Sequence, residues 1–342
     1  MWKRILIPFA ISVVTLAGLA LAVRSQGLPP RQILYNIQPL WFLLAAIKIP
    51  LLFPLWVWRW KIILQVRHPT VKFSPVMIGV WVRSFFNSVT PGVGSSGGEI
   101  AGDYYLHKRL DIPFREVVAT TAVERMIIGM TLVVLMVVGL VIAIPLLPLD
   151  STVVRSILIG LLAFTFVVGL AFYLSVFRFE VARQWIKSFI RFLGWIIPPL
   201  GRKIKWGEVE EALSGFQESY QLTLKNRAVI SWIIFITIIQ VGLELLQPYA
   251  IFRALGVAFP FWAIIVTMAT IKTFSVLSPI PGDSGLVEGI NFGVYASLSH
   301  IPQQVIATQT ILFRILDAWL LWIISGIVTS MVSVSMLRNN KK

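Results

Sequence analysis

The sequence predicts an all-α, polytopic membrane protein with six full transmembrane helices and two re-entrant helical hairpins, arranged as an inverted-topology repeat. Three observations lead there. Of 342 residues, 57% are hydrophobic, and the mean hydropathy is +0.83. Several apolar runs approach or exceed the roughly 20 residues that cross a bilayer core. A helix-breaking phrase also occurs twice, as TPGVGSSGGE from Thr90 and as SPIPGDSGLVE from Ser278.

Taken in chain order, the first apolar run covers 5–23 behind Lys3 and Arg4. It has the look of a signal peptide with ALA at 20–22 as the cleavage site, but further spans follow, so an uncleaved first helix is expected. The basic residues before it place the N-terminus in the cytoplasm. A second span at 39–58 ends in WVWRWK, read as an interfacial anchor in which Trp56, Trp58 and Trp60 flank Arg59. Runs at 116–146 and 152–177 form a hairpin around PLLPLD, and 229–251 and 302–336 complete the six. Both termini then lie inside. Under this topology 21 of the 30 cationic residues are cytoplasmic, 4 are outside and 5 sit at membrane depth, the bias expected of an inner-membrane protein.

That bias also accounts for the net charge of +15. Nucleic-acid binding needs a solvated domain with a basic patch, and none is found. The chain has no cysteine and three scattered histidines, His68, His107 and His300. No metal site, cofactor or catalytic residue is expected.

A polar stretch at 178–228 is predicted to hold two amphipathic helices. Arg183, Lys187 and Arg191 recur every four residues, while Trp185, Phe189, Phe192 and Ile196 fall on another face. Such helices lie on the inner leaflet with their cations toward anionic lipids; a solvated connector between the halves is the competing reading.

Two segments remain, about 72–106 and 259–300. Each is apolar, then broken, then apolar. After the first break only about a dozen residues precede HKR, too few to cross at about 1.5 Å per residue. Hence each is expected to enter and leave by the same face. Aligned on Pro91 and Pro279, the two breaks share a preceding hydroxyl (Thr90, Ser278), glycines (Gly94 with Gly282, Gly97 with Gly285), a serine (Ser96, Ser284) and a closing carboxylate (Glu99, Glu288). A cation precedes each (Arg83, Lys272), and an arginine lies in the following span (Arg125, Arg314). The halves, 1–150 and 151–342, would therefore run span, span, hairpin, span in opposite orientations, an architecture that places substrate sites near the midplane.

Lys48, Arg83, Arg125, Lys272 and Arg314 at membrane depth would each cost about 2.5–3.5 kcal/mol bare, so each needs a partner or water. Glu99, Glu124, Glu244, Asp283, Glu288 and Asp317 are the available carboxylates. The repeat predicts Arg125 near Glu99 and Arg314 near Glu288. Arg314 and Asp317, three apart, can also meet. Ser96 and Glu99 have capping-box spacing, whereas Glu288 misses it by one from Ser284. Asn87, one turn after Arg83, joins the same lining.

At these residues the chain resembles the flippase-like integral membrane family that includes the transmembrane region of lysylphosphatidylglycerol synthase. RSFFNSVTPGVGSSGGE with ERM following, and SPIPGDSGLVEG with Arg314 following, carry the likeness. The resemblance implies lipid translocation between leaflets and points to Arg83, Asn87, Pro91, Gly94, Glu99, Pro279, Gly285 and Glu288. Where that family has a basic residue shortly after the first glutamate, this chain has Asp103. The synthase's soluble aminoacyltransferase domain has no counterpart here, so no lysine transfer is implied.

The expectation is a non-enzymatic lipid flippase or facilitator. It holds a polar or anionic headgroup among Arg83, Asn87, Ser96, Glu99, Glu124, Arg125, Lys272, Glu288, Arg314 and Asp317. A proton- or ion-coupled transporter of a small solute, an intramembrane enzyme and a membrane scaffold are the alternatives.

Overall fold

The structure, a computed structural model, describes residues 13–14, 17–18, 21, 37–90, 96–146, 152–196 and 206–339. The described residues are helical with connecting turns and no strand. The helices are α1 (Pro39–Ala46), α2 (Lys48–Gln65), α3 (Phe73–Val89), α4 (Ser96–Leu110), α5 (Phe114–Ala143), α6 (Thr152–Phe177), α7 (Phe179–Ile196), α8 (Trp206–Lys225), α9 (Arg227–Ala254), α10 (Phe261–Leu277), α11 (Leu286–Leu298), α12 (Gln303–Arg314) and α13 (Leu320–Asn339). Between α12 and α13 the chain continues through a π-helical turn, Ile315–Trp319.

Among the described residues, three stretches are long and apolar enough to cross a membrane: Pro39–Gln65, Arg227–Ala254 and Gln303–Ser333. The 116–146 and 152–177 runs form α5 and α6, of 30 and 26 residues. The expected first span, with its signal-peptide alternative, falls almost wholly outside the described residues.

Each of the two broken segments forms a packed pair of helices. In the first, positions facing one another run in opposite order along the chain: Thr90 lies against Gly97, Asn87 against Gly98, Arg83 against Gly102, and Leu106 against Gly79. Glycines at 98 and 102 make this approach possible, as small residues four apart do in membrane helix pairs. In the second, Ile271 and Val287 share a core cluster, as do Val266 and Val294 farther from the turn. The incoming arms α3 and α10 have 17 residues each. The outgoing arms have 15 and 13, slightly more than the dozen anticipated, because α4 continues through His107, Lys108 and Arg109.

The helices that precede the two hairpins, α1–α2 and α9, lie antiparallel. Gln38 N–H reaches the Ala254 carbonyl at 2.9 Å. Lys48 bonds Gln247, Arg59 bonds Gln240, and Trp58 packs on Trp232.

The WVWRWK stretch corrects one expectation. Trp60 is fully buried and Arg59 nearly so, whereas Trp58 is exposed. Tryptophans at every second position of a 3.6-residue helix cannot share one face, so the stretch is only partly an anchor. The polar segment also differs in detail. Trp185 and Phe189 on α7 face outward, but Arg183 and Lys187 are both ion-paired with Glu210 of α8. Glu211 and Glu218 of α8 in turn engage Arg115 and Arg67. Cations expected to face lipid are thus held by the neighbouring helix, with Arg191 turned toward the Trp206 ring.

Candidate functional site

Glu124, on α5, carries the centre of the first polar cluster. Its Oε1 accepts from Arg59 Nε at 3.1 Å and its Oε2 from Arg83 Nη1 at 2.7 Å. All three side chains are almost completely buried. Arg83 also donates to Thr121 at 3.0 Å, lies 3.1 Å from Glu99 Oε2 and 3.7 Å from Asp103, and stacks over the Trp60 ring at 3.7 Å. Thr121 donates to Asp103 at 2.6 Å. Arg125 points away from its neighbour Glu124, as adjacent helical residues must, and pairs with Glu99.

The second half repeats part of this. Glu288 and Arg314 are 26 residues apart, the same separation as Glu99 and Arg125, and Arg314 Nε donates to Glu288 Oε1 at 2.8 Å. The other Glu288 oxygen accepts the Gly285 N–H at 2.8 Å. One carboxylate therefore caps the start of α11 and neutralises an arginine, though its spacing from Ser284 argued against capping. The reach-back needs a glutamate at the third helical position, and the helix starts after Gly285 rather than Ser284. Gly285 has φ 84°, so Gly285→Ala is expected to cost about 1–2 kcal/mol, read as a lower melting temperature in detergent. Whether Ser96 caps α4 depends on a side chain outside the described residues.

Arg314 and Asp317 do not pair. Arg314 bonds Glu288 and the Gly282 carbonyl, while Asp317 engages Lys48 from the other half. The physical reason is the π turn that begins right after Arg314: its wider winding turns fewer degrees per residue than an α-helix. Residues three apart are thereby rotated onto different sides.

The two clusters are joined along one face of α9. Gln240, Glu244 and Gln247, spaced four and three apart, connect Arg59, Lys272 and Lys48 respectively. Gln240 also donates to Glu244 at 3.0 Å. Lys272 and Arg314 lie within electrostatic reach of Asp317.

Among the residues expected to form the site, Arg83, Glu99, Glu124, Arg125, Lys272, Glu288, Arg314 and Asp317 all belong to this network. Asn87 does not; it packs against Gly98 at the hairpin contact with its Oδ1 buried and unpartnered. Pro91 and Gly94 lie outside the described residues, whereas Pro279 and Gly285 flank the second turn as expected. Sequence reasoning missed Arg59, Thr121, Gln240 and Gln247, and read Asp103 only as a departure from a family pattern. The one available signal was polar side chains at helical spacing on an apolar span, as in Gln240–Glu244–Gln247.

Openness sorts these groups. The side chains of Arg59, Arg83, Glu124, Arg314 and Glu288 are sealed, whereas those of Arg125, Lys272 and Asp317 are 45%, 36% and 33% exposed. Among the described residues no group of three or more His, Cys, Asp or Glu is arranged to hold a metal.

A family model described as the lysylphosphatidylglycerol synthase TM region matches residues 5–325, and the chain belongs to that family. It is 22% identical over 293 residues to a UPF0104 membrane protein of Pyrococcus horikoshii, covering 84% of this chain and 85% of that one. It is 25% identical over 320 residues to a UPF0104 membrane protein of Methanothermobacter thermautotrophicus, covering 91% and 90%. No solved structure matches the chain.

Proposed function

We propose that this member of the lysylphosphatidylglycerol synthase TM-region family moves a membrane lipid between leaflets, as a flippase or facilitator. The headgroup is held at the open edge of the charged network, and the acyl chains stay in the bilayer. The observation that carries this reading is the contrast between sealed and open charges. Arg125, Lys272 and Asp317 stand half-open at the rim of a network whose other charges are locked together. An exposed charge at membrane depth is expensive unless it meets water or a ligand. A guanidinium and an ammonium beside a carboxylate offer partners to a phosphate and to a polar or amine substituent on it.

The antiparallel course of α2 and α9, and the matched hairpin and arginine spacing, support an inverted-topology repeat with six spans, two re-entrant hairpins and both termini on the cytoplasmic side of an inner membrane. Access then alternates as the halves rock about the shared network. The outward Trp185 and Phe189, with Arg191 nearby, support α7 lying against the anionic inner leaflet. This reading assigns no catalytic step and no cofactor.

The sealed charges serve the fold and Arg125 serves the lipid, so the two are separable. Arg125→Ala is expected to melt close to wild type, within about 1 kcal/mol as for an exposed ion pair. It is nevertheless expected to lose most of the lipid that native mass spectrometry detects on wild-type protein, while Arg125→Lys keeps part of it. Equal retention of the same lipid by a normally folded Arg125→Ala sinks the headgroup role. Retention of a small solute instead of a lipid points to a solute carrier, and full cellular function without Arg125 points to a scaffold.

A further inference from the structure

Behind the Glu288–Arg314 pair lies a second polar group that the charged network does not use. Asn291, one turn beyond Glu288 on α11, and Gln309, one turn and a residue before Arg314 on α12, are both completely buried. Asn291 Nδ2 donates to Gln309 Oε1 at 3.0 Å and approaches Thr310 Oγ1 at 3.3 Å. Tyr295, the next turn of α11, is also completely buried, edge-on to the stacked Phe252 and Phe259 rings at 5.1 and 4.9 Å. Three polar atoms here lack a hydrogen-bond partner among the described residues: Asn291 Oδ1, Gln309 Nε2 and the Tyr295 hydroxyl, which sits beside Thr267 without a well-formed hydrogen bond.

An unpartnered buried polar atom costs about 1–3 kcal/mol, and the surrounding lipid offers no relief. Three such atoms, on two adjacent turns of α11 and the facing turn of α12, point to a guest. Its chemistry follows from what is unmet: Asn291 Oδ1 needs a donor, Gln309 Nε2 needs an acceptor, and the Tyr295 hydroxyl takes either. Rotating both amides exchanges their roles but again leaves one donor and one acceptor open. A metal cation would face the amide N–H, and an anion would face the amide oxygen. A small hydroxylic molecule satisfies both.

We propose that Asn291, Tyr295 and Gln309 form an internal water-binding site within the second half. Buried waters typically make about three hydrogen bonds to groups otherwise unsatisfied, which matches this set. The position gives the water a task that rests on the lipid-transport reading above. When Arg314 shifts during transport, Glu288 is left in contact with resident water through Asn291 instead of facing a dry interior. The first half has Gly102 and Leu106 at the matching positions of its hairpin, so this pair of an amide and a phenol is particular to the second half.

X-ray radiolytic hydroxyl labelling of the full chain in nanodiscs tests the site, because radicals formed from bound water mark the side chains around it. Tyr295 is expected to be labelled several-fold faster than Phe252, although both are equally buried. Asn291→Leu combined with Gln309→Leu should bring Tyr295 down to the Phe252 rate. If that double variant does not fold, Tyr295→Phe keeps the ring, and its labelling should stay fast because the two amides still hold water. Labelling of Tyr295 at the Phe252 rate in the wild-type protein overturns the proposal. Fast labelling together with lipid retention that ignores Arg125 would leave the water site standing and remove the transport reading; the reverse pair of results would do the opposite.

Discussion

Glu124→Ala is expected to destabilise the protein by about 3–5 kcal/mol, the cost of leaving buried charge without its partner. The effect is large because one carboxylate serves two arginines. Arg59 arrives from α2 and Arg83 from α3, and both are sealed from solvent. Without Glu124, Arg83 keeps Glu99 and Asp103, but Arg59 keeps only Gln240 among the partners described. Since a domain is stable by about 5–15 kcal/mol, much of the variant should be lost during expression. The measurement is the yield of monodisperse protein in detergent and its melting temperature. Replacing Arg59 as well, with Met, should recover part of the loss, because removing both members of a buried pair is milder than removing one. A Glu124→Ala protein that melts with wild type would mean that the charges are hydrated from a cavity.

Gly98→Leu is expected to prevent the first hairpin from closing. A Cβ at this position runs into the backbone carbonyl of Arg83 and the side chain of Asn87. The amide can turn away, but the carbonyl belongs to a helix and cannot. Even Gly98→Ala is expected to cost about 1–3 kcal/mol, the usual range for overpacking a filled site. Gly102 is tight but less so: a Cβ there would lie 3.0 Å from the Arg83 Cβ and 3.0 Å from the Gly79 carbonyl oxygen. Because Arg83 rides on α3 and Glu99 on α4, spreading the arms also pulls Glu99 away from its arginines. The variant should therefore lose lipid along with stability, in contrast to Arg125→Ala. Gly160→Ala is the control: nothing lies within 4 Å of that position, and alanine favours a helix by up to about 1 kcal/mol. Equal melting of the Gly98→Ala and Gly160→Ala proteins would refute the close packing.

Much of the architecture is written in one-dimensional pattern. Apolar runs of sufficient length, a Pro/Gly break and the recurrence of that break are local properties, and they located both packed helix pairs and paired Arg125 with Glu99 and Arg314 with Glu288. The pairing was legible because the two phrases carry matching residues: after each break come a carboxylate and, 26 residues beyond it, an arginine. Glu288 as a capping residue was not legible, since it depends on whether the helix starts at Ser284 or Gly285, a one-residue choice set by backbone φ. The partner of Asp317 was hidden for a similar reason. No sequence period announces a π turn, and one turn of that kind redirects the carboxylate from Arg314 to Lys48.

By itself, then, the sequence determined the all-helical membrane character, the two broken hairpins and the charges that must be neutralised, because hydropathy, helix breaking and the cost of bare charge act within a few turns of chain. Only the tertiary structure decided which charges are sealed and which are open. Arg59 and Arg125 are indistinguishable as letters on apolar helices, yet one is enclosed between Glu124 and Gln240 and the other stands at the rim. That difference arises from the antiparallel packing of α2 on α9 and the glycine contact of α3 with α4, where residues distant along the chain fix each side chain's access to water, lipid or a ligand.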